Sequence, residues 1–181
     1  VVPVFGEELA GGRYRVEAAL GEGGMAAVFC VHDEGTGKKL ALKRLSQTAS
    51  AKVLTLFERE FHTLASLRHP SIVEAYEYGS DGSGPYYTME LLEGSDVSSL
   101  APKPWPLVCK IVRDVASGIA LLHARRLIHR DLSARNVWLT PDGKIKLIDF
   151  GTMGAFGKAD ELIGTPPFLP PEALYGRELD Q

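Results

Sequence analysis

The sequence has 181 residues, enough for one ordinary domain or for two small lobes that share a cleft. Hydrophobic residues make up 45% and charged residues 24%, a balance typical of globular proteins with a real core. The formal net charge of −3 gives no electrostatic argument for binding nucleic acid or an anionic membrane surface, and no apolar run approaches the roughly 20 residues that cross a bilayer.

The N-terminal half is predicted to form an antiparallel sheet with one helix. Residues 1–12 end in two glycines and are interpreted as a leader or linker. Strand patterns joined by glycine-containing turns follow over residues 14–20, 27–31, 40–45, 72–78 and 85–92. Between the third and fourth of these strands, apolar residues recur at helical spacing from about Lys52 to Leu67, and His69-Pro70 ends the helix.

The C-terminal half begins with a segment rich in Ser and Pro, residues 94–106, which is predicted to link two lobes. A second helix is predicted over about 106–124, with Pro suited to its first turn. Its apolar stripe consists of Val108, Ile111, Val115, Ile119 and Leu122. Two short extended segments, 137–140 and 144–148, surround the turn at 141–143. The chain is therefore predicted to combine a strand-rich N-terminal lobe with a helix-led C-terminal lobe.

The sequence contains two cysteines, Cys30 and Cys109, which lie far apart and match no metal-ligand spacing. We predict that both are reduced, buried and structural. Reduced cysteines are typical of the cytosol, so the predicted location is cytoplasmic.

A glycine cluster, Gly21-Glu22-Gly23-Gly24, ends the first predicted strand. Glycines allow backbone N–H groups to approach phosphate oxygens that side chains would otherwise block. The cluster alone is a weak signal, since a flexible turn explains it equally well. A dinucleotide-binding fold requires a helix directly after the glycines, whereas a strand pattern follows here, so a hairpin is favoured.

A lysine and a glutamate lie at positions where charge is unexpected. Lys43 lies within the apolar strand Ala41-Leu42-Lys43, although most strand lysines are solvated edge residues. Glu60 lies on the helix face that also carries Phe57 and Phe61. A carboxylate beside an apolar stripe needs a partner, and Lys43 is the predicted one. The alternative for Glu60 is a surface residue near Arg59.

The strongest signal is the segment 129–136, His-Arg-Asp-Leu-Ser-Ala-Arg-Asn, followed downstream by Asp149-Phe150-Gly151. Phosphoryl transfer needs a carboxylate near the incoming hydroxyl and oxygen ligands that hold Mg²⁺ on the phosphates. Asp131 could serve as the first, and Asn136 and Asp149 as the second. Single acidic residues near turns are mostly caps or solvated loop residues, but two such motifs in this order disfavour that explanation.

Together these motifs resemble the signature of the protein kinase family, in the family's order and from about residue 14 onward. The resemblance implies an α+β, bilobal protein-kinase-like fold. Its antiparallel-sheet N-lobe with one helix would cover residues 13–93, and a helical C-lobe would begin at residue 94. The chain reaches only residue 181, soon after Glu172, so this resemblance implies an incomplete, C-terminally truncated lobe.

The resemblance also implies ATP and Mg²⁺ as cofactors and a protein as substrate. It assigns ATP binding to Leu20, Gly21, Glu22, Gly23, Gly24, Met25, Ala26, Ala27, Val28, Ala41, Lys43, Met89, Glu90, Leu92 and Trp138. It assigns catalytic roles to Asp131, Lys43, Glu60 and Arg135, and Mg²⁺ ligation to Asn136 and Asp149. In this assignment Asp131 is the catalytic base, Met89 is the gatekeeper residue, and the backbone of Glu90 and Leu92 meets adenine.

Some positions depart from the family's pattern. Ser133 stands where serine/threonine kinases usually carry a lysine, and Arg135 stands where tyrosine kinases carry an arginine. The segment Gly164-Thr165-Pro166 resembles the serine/threonine form of the substrate-facing loop, and we weigh it more heavily because it faces the acceptor. Trp138 replaces a smaller apolar residue under the adenine. The mixture is similar to that of bacterial members of the family.

Three alternatives to a serine/threonine kinase stay open at this point. They are a tyrosine or dual-specificity kinase, a kinase-like scaffold that binds nucleotide or nothing, and a small-molecule kinase. The lysine, the aspartate and both metal ligands argue against a degenerate site, and the segment 164–172 argues against a small-molecule substrate. The sequence leaves the oligomeric state open.

Overall fold

The computed structural model describes residues 5–23, 26–100, 102–158, 165, 168–175 and 177–179. The chain forms two compact units. The first unit comprises Val1–Leu67 and Glu74–Leu92, and the second comprises Arg68–Val73 and Glu93–Gln181. Among the positions singled out above, Gly24, Met25, Gly164, Pro166 and Pro167 lie outside the described residues.

The first unit is built on a six-stranded sheet with the order β1-β2-β3-β4-β6-β5. Each strand pairs antiparallel with its neighbours. The strands are β1 (Glu8–Leu9), β2 (Tyr14–Glu22), β3 (Ala26–Asp33), β4 (Lys38–Leu45), β5 (Ala75–Asp81) and β6 (Gly84–Met89). The predicted antiparallel sheet is confirmed.

The segment interpreted as a leader, residues 1–12, contributes an edge strand to this sheet. Leu9 is only 3% exposed and packs in one cluster with Tyr14, Val16 and other core residues. The backbone N–H of Ala10 donates to Asp81 Oδ2 at 3.0 Å. Burial of one apolar side chain, rather than any periodic pattern, recruits this short strand to the core.

The single helix of the first unit, α1, spans Ala51–Ser66, close to the predicted 52–67. It begins where the Ser50 hydroxyl accepts a hydrogen bond from the Val53 N–H, as N-cap serines do. Its buried face consists of Phe57, Glu60, Phe61 and Leu64. That 3.6-residue periodicity sets the glutamate beside the aromatic residues that anchor the helix.

The second unit contains a long helix, α2 (Trp105–Ala124), and several short strands. The strands are β7 (Ser95–Asp96), β8 (Leu127–Ile128), β9 (Val137–Leu139), β10 (Ile145–Leu147), β11 (Gly154–Ala155), β12 (Gly157–Lys158) and β13 (Glu178–Leu179). A short helix, α3 (Pro171–Leu174), lies between the last two. Within the predicted stripe of α2, Leu122 is fully buried, and the other four residues are partly buried.

Arg68–Val73, which lie just before Glu74 and β5, belong to the second unit, and this corrects the start of the predicted strand 72–78. Leu147 of β10 is bonded on both sides there: its N–H donates to Ser71 O at 2.8 Å, and its carbonyl accepts from Val73 N at 3.0 Å. Ile72 is 2% exposed and forms an isolated parallel bridge with Leu147. Ser71 and Val73 therefore supply hydrogen-bond partners for the backbone of β10, and the strand of the first unit begins only at Ala75.

Two further predictions concern exposure. Cys30 is buried as expected, but Cys109 lies on an exposed part of α2, so the prediction that both are buried is wrong for Cys109.

Among the described residues, no helix combines the length and the apolar composition needed to span a membrane. The α+β class, with an antiparallel sheet and one helix in the first unit, is confirmed.

Candidate active site

The glycine cluster lies at the turn of the β2–β3 hairpin, as the strand pattern on both sides predicts. Glu22 pairs with Ala27 across the hairpin, and the Gly23 N–H donates to Ala26 O at 2.9 Å. A nucleotide-binding βα unit would instead place a helix here. The described residues on both sides of the turn thus form a β-hairpin rather than the start of a helix.

Lys43 and Glu60 form the predicted ion pair in the first unit. Lys43 Nζ donates to Glu60 Oε1 at 2.7 Å and to Oε2 at 3.0 Å. The Tyr87 hydroxyl donates to Glu60 Oε1 at 2.9 Å. The side chain of Lys43 is 15% exposed and that of Glu60 only 4%. Such a pair is stable in a dry setting only when hydrogen bonds satisfy the remaining polar atoms.

The other proposed ATP residues of the first unit lie along the same sheet. Ala41 is buried and pairs with Met89 across β4 and β6. Leu20 is half exposed at the end of β2, and Val28 pairs with Lys43. The Glu90 N–H donates to Glu74 O at 2.8 Å.

Asp131 in the second unit receives hydrogen bonds from two sides. The Asn136 side-chain Nδ2 donates to the Asp131 backbone carbonyl at 2.8 Å and to its Oδ2 at 3.1 Å. Thr165 donates to Oδ1 from its N–H at 2.9 Å and from its hydroxyl at 2.6 Å. The carboxylate therefore has a fixed orientation and already accepts an alcohol donor.

The β9–β10 hairpin brings the two predicted metal ligands together. Val137 pairs with Leu147, and the Ile148 N–H donates to Asn136 O at 3.0 Å, so Asn136 and Asp149 flank the same end of the hairpin. Asp149 has φ +60°, in the left-handed region that only glycine adopts at no cost. Backbone strain of this kind is concentrated at functional sites.

Arg130, directly before Asp131, is also in the left-handed region, with φ +65°. Its Nη2 donates to Ala155 O at 3.1 Å, and its guanidinium lies against Gly154, where a Cβ would collide with it. The Thr152 hydroxyl donates to His129 O at 2.9 Å. The segment after Asp149 is thus held against the loop that carries Asp131.

His129 is buried beneath this loop and is only 2% exposed. Its ring lies 4.8 Å from the ring of Phe150, measured between centroids. Burial lowers the pKa of His129 below the usual histidine value, although the nearby Asp149 carboxylate opposes that shift. The imidazole is therefore neutral and acts as an apolar support for the loop near neutral pH.

Arg135 and Trp138 occupy less enclosed positions. Arg135 is exposed on the 3₁₀ turn Ala134–Asn136, immediately before the buried Asn136. Trp138 is partly buried on β9, and its Nε1 donates to Glu93 O at 3.0 Å. The indole is therefore anchored by its edge.

Two residues of these clusters were not predicted as site residues. Tyr87 lies in β6 beside Thr88, which is equally buried, so alternation along the strand does not single it out. Thr165 lies in a motif that the sequence analysis singled out, but its bond to Asp131 joins residues far apart in the chain. Neither contact has a local sequence signal.

Comparison with models of known protein families identifies the family to which these site residues belong. The model of the protein kinase domain matches residues 14–181, nearly the whole chain. The chain belongs to the protein kinase domain family. Kinases of this family use ATP and Mg²⁺ and act on proteins.

Several curated proteins that are similar to this chain come from bacteria. A Streptomyces coelicolor protein named as a probable serine/threonine-protein kinase is 35% identical over 94% of this chain and 28% of its own length. Serine/threonine-protein kinase PksC of the same organism is 33% identical over 97% of this chain and 35% of its own length. PknL of Mycobacterium tuberculosis is 33% identical over 93% of this chain and 45% of its own length. This kinase domain thus spans less than half the length of each.

Proposed function

We propose that this kinase domain transfers the γ-phosphate of ATP to serine or threonine hydroxyls of a protein, with Asp131 as the catalytic base. The observation that carries the proposal is the pair of short bonds on Asp131 Oδ1, one of them from the Thr165 hydroxyl at 2.6 Å. An aliphatic alcohol, the group that serine and threonine offer, can approach this carboxylate at hydrogen-bond distance. The names of the relatives support the same acceptor class.

Asp131 would orient the acceptor hydroxyl and take its proton at a carboxylate oxygen. A general base must lie within roughly 2.6–3.2 Å of the hydroxyl oxygen whose proton it removes. The bond from Asn136 fixes the carboxylate plane, which removes a rotation that would otherwise misalign the base. Thr165 would hold the segment that presents the acceptor against the base.

The donor set near Asp131 fits a magnesium ion. Asn136 turns its Nδ2 toward Asp131, so its amide oxygen points elsewhere, and Asp149 supplies a carboxylate from the other strand at the same end of the hairpin. Mg²⁺ prefers oxygen ligands and commonly takes only one or two from protein carboxylates, the rest coming from phosphates and water. When bound with ATP, the ion would supply positive charge to the transferring phosphoryl group.

In the first unit, Lys43 would bind phosphate oxygens through its ammonium, and Glu60 would hold that ammonium in place. The backbone of the β2–β3 turn would cover the phosphates, and the backbone of Glu90 and Leu92 would bind adenine. Arg135, exposed beside Asn136, would supply the positive charge that other serine/threonine kinases take from the lysine at the position of Ser133.

The test is incorporation of phosphate from labelled ATP and Mg²⁺ into the protein itself and into a generic protein substrate, followed by identification of the labelled amino acid. Asp131→Asn should lower the rate about 10²–10⁴-fold, the usual contribution of a general base. Lys43→Ala should lower it as well. Asp142→Asn is the matched control, because Asp142 is an exposed turn residue bonded to Thr140 and Lys144, and it should retain the wild-type rate.

Each alternative function has its own outcome. Label on tyrosine would replace the serine/threonine proposal with a tyrosine kinase. Thermal stabilisation by Mg-ATP without any transfer would support a nucleotide-binding scaffold. Transfer that survives Asp131→Asn undiminished would exclude Asp131 as the base.

A further inference from the structure

Tyr87 reaches the Lys43–Glu60 pair from a third element of the first unit. Lys43 and Tyr87 are direct cross-strand partners on β4 and β6, so their side chains leave the same face of the sheet. Glu60 approaches that face from α1. The Tyr87 hydroxyl donates to Glu60 Oε1 at 2.9 Å, and Lys43 Nζ lies 5.9 Å from the centroid of the Tyr87 ring.

This hydroxyl has no access to water as an alternative partner. Tyr87 is only 1% exposed, and the Glu60 side chain is 4% exposed. A buried hydroxyl or carboxylate oxygen that loses its partner keeps the full cost of its desolvation. The bond is therefore needed by both groups, and it ties the carboxylate to the sheet independently of Lys43.

The aromatic ring and the hydroxyl of Tyr87 do separate things. The ring packs between Phe57 and Phe61, with centroids 5.1 and 5.8 Å away, and so holds α1 to the sheet through apolar contact. The hydroxyl fixes which way the Glu60 carboxylate faces. A phenylalanine would keep the first contribution and remove only the second.

We propose that Tyr87 is a positioning residue: its hydroxyl holds the Glu60 carboxylate in the orientation that keeps the Lys43 ammonium in place for phosphate. The proposal rests on the function proposed above for its consequence in phosphoryl transfer, but the effect on Lys43 itself does not. In this role Tyr87 acts through Glu60 rather than on ATP or the acceptor directly.

The first unit contains a closely matched control. Tyr78 of β5 also packs against Phe57 and Phe61, at 6.4 and 5.5 Å, and its hydroxyl donates to Glu58 Oε1 at 3.1 Å. Tyr78→Phe therefore removes a tyrosine–glutamate bond to the same helix without touching the ion pair. Any general loosening of α1 should affect both variants alike, whereas loss of carboxylate orientation should appear in Tyr87→Phe alone.

The first measurement is the rate at which a small amine-reactive acylating reagent modifies Lys43, followed by mass spectrometry on wild type, Tyr87→Phe and Tyr78→Phe. We expect Lys43 to react about tenfold faster in Tyr87→Phe, because its amine is then bonded to a carboxylate that can turn away. Tyr78→Phe should match wild type. Adding Tyr87→Phe to Glu60→Gln should change the rate little, since the two substitutions break one network.

The second measurement is phosphate transfer. In Tyr87→Phe we expect kcat/KM for ATP to fall about tenfold, while Tyr78→Phe retains the wild-type value. If wild type transfers no phosphate, the proposed function fails, and the acylation rates still decide the role of Tyr87. Equal Lys43 reactivity in wild type and Tyr87→Phe would overturn the proposal, whatever the transfer assay gives.

A third measurement covers the case in which Tyr87→Phe does not fold. The ring carbon that bears the hydroxyl is observed by NMR in protein labelled with ¹³C-tyrosine. Glu60→Gln should shift the Tyr87 signal and leave that of Tyr78 in place, and Glu58→Gln should do the reverse. If the chemical shift of the Tyr87 signal is unchanged by Glu60→Gln, the hydrogen bond is absent and the proposal is wrong.

Discussion

Glu60 in the first unit and Asp131 in the second are both carboxylates whose oxygens accept hydrogen bonds. The groups that donate these bonds differ between the two sites. Glu60 lies on a regular helix and is bonded by side chains from two strands, and its side chain is 4% exposed. Asp131 lies on a loop, is partly exposed, and is bonded by Asn136 and by Thr165.

The difference indicates different tasks. The donors around Glu60 come from buried, regular elements that cannot be exchanged for a substrate, so this carboxylate is an anchor. One of the two donors on Asp131 Oδ1 is a hydroxyl from a distant segment, and another hydroxyl could take its place or lie beside it. Regular structure thus holds Glu60 in place, and under the proposed function the loop presents Asp131 to the acceptor hydroxyl.

The comparison predicts its largest stability effect at the anchor. Glu60→Leu should lower the free energy of unfolding by about 3–5 kcal/mol, because Lys43 is then left charged in a mostly buried position. The double substitution Lys43→Met with Glu60→Leu should recover most of that loss and still transfer no phosphate. Urea denaturation measures the first effect, and the labelled-ATP assay measures the second.

Glu58→Gln is the control, because Glu58 lies on the same helix and accepts a hydrogen bond from Tyr78 rather than from Lys43; it should cost about 1 kcal/mol or less. A Glu60→Leu protein as stable as wild type would contradict the view of this carboxylate as an anchor.

A smaller effect is expected at the loop. Asn136→Ala removes the two hydrogen bonds that the Asn136 amide donates to Asp131 and should lower the free energy of unfolding by about 1–2 kcal/mol. It should also abolish most of the Mg²⁺-dependent thermal stabilisation by ATP. Asn136→Asp keeps an oxygen ligand but cannot donate to Asp131, so it should retain more of that thermal shift while still lowering the transfer rate.

Thermal melting with ATP, with and without Mg²⁺, separates these two variants. If Asn136→Ala melts with the same Mg²⁺-dependent shift as wild type, Asn136 holds no metal, and its contribution is limited to orienting Asp131.

The smallest expected effect concerns His129. It appears only in the way that the free energy of unfolding changes with pH. Its folded-state pKa is lowered by burial, so below about pH 6.5 the unfolded chain binds a proton that the folded chain does not. Stability should therefore fall as the pH drops from about 6.5 toward the folded-state pKa. His129→Leu should flatten this part of the profile, measured by urea denaturation at several pH values, and an unchanged slope would show that other groups cause it.

Much of this architecture could be predicted from the sequence because it is local. Apolar spacing located α1 and α2 to within one or two residues, and the glutamate on the apolar stripe predicted the pairing of Lys43 with Glu60. The hairpin that brings Asn136 and Asp149 together followed from one turn between two short strands.

The remainder depends on register and on distant contacts, which no local pattern encodes. The bond from Tyr87 to Glu60 requires Lys43 to face Tyr87 across β4 and β6, and alternation alone does not set which residues face each other. Thr165 reaches Asp131 over 34 residues. The sequence around Ile72 resembles a strand and is predicted to belong to the sheet of the first unit. In the structure Ile72 forms a bridge with Leu147 of β10 in the second unit.

The short strand at the start of the sheet also matters for anyone who shortens this protein. A fragment cut at the family boundary, residue 14, would discard Leu9 and the bond from Ala10 to Asp81. It would lose roughly 1.5–3 kcal/mol of apolar burial. It would also open the outer edge of β2 as a template for pairing with other chains. Such a fragment would tend to aggregate during purification, and the cause would lie outside the segment by which kinases are recognised.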